Sequence, residues 1–160
     1  PMIDDVDYRI LHFLQKDART TNAAIAKEVG LTGPSVYERI KKLEQQGIIQ
    51  GYTALINASA LGKGITAFIR LSVKVEPLEQ ERYRDSVAQV AEYPEVLECH
   101  SVAGEDCLLL KVKVASPRDL EGLIGRIRAR LSLERSVTMI VLSTYKEDVR
   151  IALPVSPSAA

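Results

Sequence analysis

Apolar residues near the start of the chain, Ile3, Val6, Ile10, Phe13 and Leu14, recur at the spacing of one helix face. Asp4 or Asp5 stands where a helix cap belongs, and the acidic first turn suits the helix dipole, so the pattern predicts a helix ending near Lys16 and Asp17. Thr20 or Thr21 then caps a second helix over 22–29, which Gly30 stops. Thr32 restarts the chain and Pro34 suits the first turn of a third helix. That helix runs to about Gln46, turns Val36, Ile40 and Leu43 inward, and ends at Gly47. Residues 48–57 alternate weakly around Gly51, which suggests two short strands or one bent strand. Two short helices joined by a tight turn, followed by such a segment, have the layout of a winged helix-turn-helix.

The period changes after 57–64 (NASALGKG), whose small residues and glycines mark a hinge. Residues 67–75 alternate strictly, with Ile69, Leu71, Val73 and Val75 on one face and Phe68, Arg70, Ser72 and Lys74 on the other. Pro77 opens a helix to about Glu92. Residues 96–102 and 107–114 form a hairpin around Ala103, Gly104, Glu105 and Asp106, Ser116 caps a helix through Leu131, and 136–144 is a last strand. The order is β-α-β-β-α-β, a ferredoxin-like plait. The fold class is therefore α+β: a winged helix-turn-helix over 1–56, a hinge over 57–65, a plait over 66–150 and a loose tail over 151–160. The last strand carries Val137, Met139 and Val141 on one face and Ile140 and Leu142 on the other, and Leu108, Leu109 and Leu110 are consecutive. Helices cover only one face of such a sheet, so a second copy joined sheet to sheet is the expected cover of the other.

In a helix-turn-helix the second of the paired helices lies in the major groove and its N-terminal residues touch base edges. Here Ser35 and Tyr37 hold that place, Thr32 and Glu38 are further candidate DNA contacts, Arg39, Lys41 and Lys42 supply charge for phosphates, and Arg19, Thr21 and Asn22 can clamp the flanking backbone. Charge alone does not announce a nucleic-acid partner. Lys plus Arg and Asp plus Glu both number 21, and the first 57 residues balance Arg9, Lys16, Arg19, Lys27, Arg39, Lys41 and Lys42 against Asp4, Asp5, Asp7, Asp17, Glu28, Glu38 and Glu44. One such head binds weakly, so useful affinity needs several copies.

Hydrophobic content of 46% supports a packed core. No apolar run approaches a membrane span and the acidic N-terminus lacks a signal-peptide core, so a cytoplasmic protein without membrane contact is expected. A hairpin turning at Gly104 and Glu105 sets Cys107 opposite Val102 and Cys99 opposite Leu110, out of register for a disulfide. Cys99 and His100 point to opposite strand faces, so no metal site is expected. Only His12 and His100 offer imidazole chemistry, and no nucleophile set, metal cluster or phosphate loop stands out, so neither catalysis nor a cofactor is expected.

The segments IDDVDYRIL and IAKEVGLTGPSVYERIKKLEQQGIIQGYTALIN resemble the Lrp/AsnC, or feast/famine, regulators of bacteria and archaea. VLECHSVAGEDCLLLKV and SVTMIVLSTYKED resemble their ligand-sensing plait, and the likeness spans about residues 2–150. The resemblance implies a non-catalytic transcription regulator that forms homodimers through the plait sheets, with dimers often closing into rings of four, an octamer. It also implies an amino acid or similar metabolite as effector. By the same resemblance, the loop Ala103, Gly104, Glu105, Asp106 and Cys107 contacts that effector, and Ser136 and Thr138 correspond to a hydroxyl pair that contributes in some members. The loop departs from the usual pattern, with Asp106 in place of an aromatic, Cys107 in place of Asp and Leu108 in place of the second aromatic. A carboxylate at Glu105 or Asp106 can accept an α-ammonium, and backbone N–H groups around Gly104 can hold a carboxylate. For Gly104 the plainer role is a hairpin position with positive φ, and for Ser136 and Thr138 it is strand propensity.

The leading expectation is a sequence-specific DNA-binding transcription regulator whose assembly or DNA binding is tuned by a small effector, through differential affinity for two states. The alternative is an architectural DNA-binding protein of the same fold that needs no effector.

Overall fold

The computed structural model describes residues 2–154, and the chain divides into two compact units. The first holds the chain up to Leu55 together with the segment from Glu147 onward; the second spans Ile56–Lys146.

In the first unit the helices are α1 (Asp5–Lys16), α2 (Asn22–Val29) and α3 (Gly33–Gln45). Each begins on a side chain that meets an otherwise unpaired helical N–H. Asp4 accepts from the Asp7 amide at 2.8 Å while Asp7 accepts from the Asp4 amide at 3.2 Å, a reciprocal cap. Thr21 caps α2 and Thr32 caps α3. Gly30 ends α2 at φ +72°, a conformation that disfavours a side chain. Ile10, Ile25 and Val36, one from each helix, are fully buried together, and each contributes about 1.5–3 kcal/mol by leaving water.

The expected wing does not form within one chain. Residues 48–57 contain no strand, and none of the described strands pairs with them. The chain instead folds back on the end of α3, where the Ile48 and Ile49 amides both donate to the Leu43 carbonyl at 3.0 and 3.2 Å. The Tyr52 hydroxyl donates to Glu44 at 2.8 Å; burial, then that acceptor, push its phenol up to about 12. The C-terminal segment also departs from the sequence expectation, which gave 147–150 to the plait and 151–160 to a loose tail. Ile151 exchanges two 2.9 Å hydrogen bonds with the side-chain amide of Gln15 on α1. Residues 155–160 lie outside the described residues.

The second unit is a four-stranded antiparallel sheet of β1 (Ile65–Val73), β2 (Val96–Ser101), β3 (Leu108–Val114) and β4 (Leu133–Ile140), in the order β2-β3-β1-β4. Helices α4 (Gln80–Ala91) and α5 (Pro117–Arg130) complete the βαββαβ plait. Strand alternation sends Ala67, Ile69, Leu71, Leu108, Leu110, Val112 and Val114 into a core closed by Val90, Leu123 and Ile127 of the helices. Cys99 pairs with Leu110, and Val102 donates to the Cys107 carbonyl at 3.1 Å, which is the hairpin register read from the sequence. Both cysteines are free. β4 starts and stops earlier than its hydrophobic pattern suggested. Val141 still donates to the Thr66 carbonyl at 2.9 Å, but β1 begins at Ile65 and offers no ladder beyond it.

The face of the sheet turned away from the helices is open. Cross-strand partners share a face, so Phe68, Leu109, Val137 and Met139 lie there with Arg70, Lys111 and Arg135. Met139 is 42% exposed, and Leu61, Leu142, Tyr145 and Ile151 elsewhere are 70% exposed or more. No described helix is long and apolar enough to cross a membrane.

Candidate nucleic-acid interface and effector loop

The cap of α3 sets its exposed face. The Thr32 hydroxyl accepts from the Ser35 amide at 3.3 Å and donates to the Ser35 hydroxyl at 2.9 Å, which fixes both side chains at the N-terminal end of the helix. With Val36 and Leu43 buried, Ser35, Tyr37, Glu38, Lys41 and Lys42 point outward. Tyr37 is half exposed, and the Lys41 ammonium sits 6.0 Å from its ring centroid, a pairing that orders both along one helical ridge. On α2, Thr21 accepts from the Ala24 amide at 3.1 Å, Arg19 is exposed just ahead of it and Asn22 is partly buried.

Arg39 departs from its expected role as a phosphate contact. Its guanidinium turns back to α1 and donates to Asp4 at 2.8 Å and Asp7 at 2.9 Å. The Arg39 hydrogen bond is the chief cause that holds the Asp4 carboxyl below its ordinary range. A guanidinium held by two carboxylates ties α3 to α1 and leaves Lys41 and Lys42 as the outward cations of the helix. Replacing Lys41 or Lys42 with Ala is therefore expected to weaken binding to every duplex and to reduce the slope of log affinity against log salt by about one unit each. A slope unchanged in both variants contradicts phosphate contact.

In the plait, the loop after β2 folds over the C-terminal end of β1. The Cys107 amide donates to the Leu71 carbonyl at 2.8 Å, and its thiol lies 3.8 Å from the Val73 carbonyl. Gly104 takes φ +144°, a backbone conformation that residues with a side chain rarely adopt, although a Cβ there would meet no neighbour within 4 Å. Asp106 is held from two sides on the open face, accepting from Arg70 Nε at 2.7 Å and the Ser72 hydroxyl at 3.2 Å. The Arg70 bond, opposed by desolvation and aided by Ser72 and the Arg135 charge, keeps its carboxyl below the usual carboxylate range. Ala103, Gly104 and Glu105 are exposed, and Glu105 is the loop acid whose carboxylate stays turned to solvent.

Ser136 and Thr138 do not join this loop in one chain. They pair with Leu71 and Ile69, both buried under the helices, so they share the helix-facing side of the sheet, whereas Arg70, Ser72 and Asp106 meet on the other. Sequence reasoning missed Arg70 and Ser72, which lie 36 and 34 residues from Asp106. The available signal was their place on the polar face of a strictly alternating strand. Among the described residues, no group of three or more His, Cys, Asp or Glu side chains could hold a metal ion.

The two units match known protein families in the same order. Residues 3–44 match the AsnC-type helix-turn-helix domain, and residues 66–151 match the Lrp/AsnC ligand binding domain. The chain is 37% identical over 146 residues to the HTH-type transcriptional regulator LrpA of Mycobacterium tuberculosis, covering 91% of this chain and 94% of that protein. It superposes with a TM-score of 0.87 on an AsnC family transcriptional regulator from Agrobacterium tumefaciens, at 25% identity and with 94% and 97% of the two chains covered. It also superposes, with a TM-score of 0.84 at 35% identity, on the feast or famine regulatory protein of M. tuberculosis complexed with L-methionine, covering 94% and 99% of the two chains. A capped helix-turn-helix with an outward basic helix, joined to a plait of this kind, makes the chain a member of the Lrp/AsnC family of DNA-binding transcription regulators.

Proposed function

We propose that this regulator works in the cytoplasm as a homodimer joined through the open faces of its plait sheets, with four dimers assembling into an octamer, and that a free amino acid tunes its DNA binding. The observation that carries the dimer is the open face itself, where Phe68, Leu109, Val137 and Met139 of β3, β1 and β4 form an apolar patch interleaved with Arg70 and Lys111. Such a patch is stabilised by a copy of itself, because a two-fold axis brings like patches together. α3 offers Lys41 and Lys42 against Glu38, so copies linked through the plait supply the avidity that one head lacks. The effector reading gains support from the L-methionine held by the M. tuberculosis relative.

The loop geometry divides the roles within that reading. Asp106 is engaged by Arg70 and Ser72, so Glu105 is the acid left to receive an α-ammonium, and the amides around Gly104 face the carboxylate. Ser136 and Thr138 reach the same ligand only if another copy brings its helix-side edge to this loop. Outward contacts to DNA fall to Ser35, Tyr37 and Glu38 at base edges and to Lys41, Lys42, Arg19, Thr21 and Asn22 at the backbone.

A thermal-shift screen against the twenty amino acids tests the effector. At least one is expected to raise Tm in the parent protein, and Glu105→Ala is expected to remove that rise, since an ammonium–carboxylate hydrogen bond contributes about 1.5–3 kcal/mol. No shift with any amino acid points instead to the architectural reading. An equal shift in Glu105→Ala moves the ammonium contact elsewhere.

A further inference from the structure

On the helix side of the plait, where the chain leaves β1, a small recess lies between residues 73–75, the start of α4 and the corner from α5 to β4. Its volume is about 120 Å³. A single water needs only about 10–15 Å³ by the same measure, so the recess admits several waters or one tetrahedral oxyanion. Three cationic side chains line it, Lys74, Arg82 and Arg130, against a single acid, Glu79, and the hydroxyls of Ser86 and Ser132 add donors.

Among the described residues, none of these cations is held in an ion pair. Arg130 donates to the neutral side-chain carbonyl of Gln89, so its charge stays uncompensated. Lys74 and Arg82 make no ion pair and no side-chain hydrogen bond among the described residues. The walls are set by backbone structure: the Lys74 amide donates to the Ser132 carbonyl at 3.2 Å, fixing two of the lining segments side by side, and Leu131 is buried beneath them. Like charges gathered in a concavity repel one another and focus a positive potential that an anion relieves. The recess borders the candidate effector loop, since the carbonyl of its lining residue Val73 lies 3.8 Å from the Cys107 thiol, but none of residues 103–107 lines it.

We propose that Lys74, Arg82 and Arg130 form a second ligand site, for a tetrahedral oxyanion such as inorganic phosphate or the phosphate group of a small metabolite. The pocket takes the phosphate group and leaves an attached ester outside. Guanidinium groups match phosphate oxygens with paired N–H donors, and the lysine supplies a point charge. The site gives this unit a second chemical input of a different class, beside the loop proposed above for the amino acid.

Titrating the full-length protein with inorganic phosphate, at ionic strength held constant with chloride, tests the site. The expected result is a saturable rise in Tm and a saturable calorimetric signal. Arg82→Ser is expected to weaken the affinity by roughly tenfold or more, as loss of a charge-assisted hydrogen bond does. Arg82→Lys retains part of it, and Glu79→Gln tightens it severalfold by removing the only opposing charge. The gain with Glu79→Gln keeps the test independent of any folding defect in Arg82→Ser. A response no larger than that to chloride, or affinities equal in Arg82→Ser and Glu79→Gln, overturns the proposal. A duplex-binding arm separates free phosphate from DNA phosphates: if Arg82→Ser lowers the DNA salt slope and leaves phosphate binding intact, the cations serve the duplex and the proposal fails.

Discussion

Replacing Leu109 and Val137 together with Glu is expected to leave a folded monomer whose affinity for duplex DNA is lower by roughly a hundredfold or more. Both side chains stand on the open face, on either side of Arg70, while their neighbours Leu110 and Thr138 face the helices. The substitutions therefore spare the plait core. A glutamate at either place brings a charge into the contact that must shed its water, and the two-fold axis presents each new charge to its own copy. Sedimentation reads the loss of the dimer, and far-ultraviolet dichroism checks that the fold persists. A variant that stays dimeric with unchanged DNA affinity contradicts assembly through this face.

The second large effect is expected from Arg39→Ala, and it is a stability effect. The side chain closes two ion pairs from α3 to the start of α1, at 2.8 Å to Asp4 and 2.9 Å to Asp7, and its removal leaves the buried Asp7 and the capping Asp4 facing each other. Such bonds contribute about 1.5–3 kcal/mol when sheltered. Partial exposure of Arg39 and Asp4 reduces the expected loss to about 1–2 kcal/mol. Lys41→Ala and Lys42→Ala, which touch no partner in the core, are expected to leave Tm nearly unchanged while lowering the salt slope. Arg39→Ala reverses that pattern, with a lower Tm and the slope retained. The linkage has a definite sign. The Arg39 bond lowers the Asp4 pKa in the folded state, so its contribution is complete above the ordinary aspartate value of about 3.9 and is lost as pH falls through the lowered one. The Tm difference between the parent and Arg39→Ala should therefore be constant near neutrality and shrink below about pH 4. A difference that persists undiminished at lower pH excludes Asp4 as the source.

What was legible in the sequence was local. The limits of α1, α2 and α3 follow from Asp4, Thr21, Thr32 and Gly30, each of which acts within one turn of its own helix. The β order and the hairpin register followed from strict alternation and one glycine turn. What escaped was set at a distance. β4 ends where β1 begins, which its own apolar run through Leu142 does not encode. Residues 48–57 carry a strand-like pattern but pair with no strand among the described residues. Arg39 sits at the margin between the polar and buried faces of α3, and only the folded position of Asp4 and Asp7 decides which way it turns. In the loop 103–107, sequence pointed to Glu105 and Asp106 as equals. The register that lays Arg70 and Ser72 beneath Asp106 makes one of them structural and leaves the other to solvent.

The most direct test of effector-tuned DNA binding is a duplex titration of the parent protein and Glu105→Ala, each with and without the twenty amino acids in turn, read together with assembly state. At least one amino acid is expected to move the binding midpoint or the oligomer distribution of the parent and to leave Glu105→Ala unmoved. If no amino acid changes either quantity in the parent protein, the plait is not an amino-acid sensor and the account is contradicted.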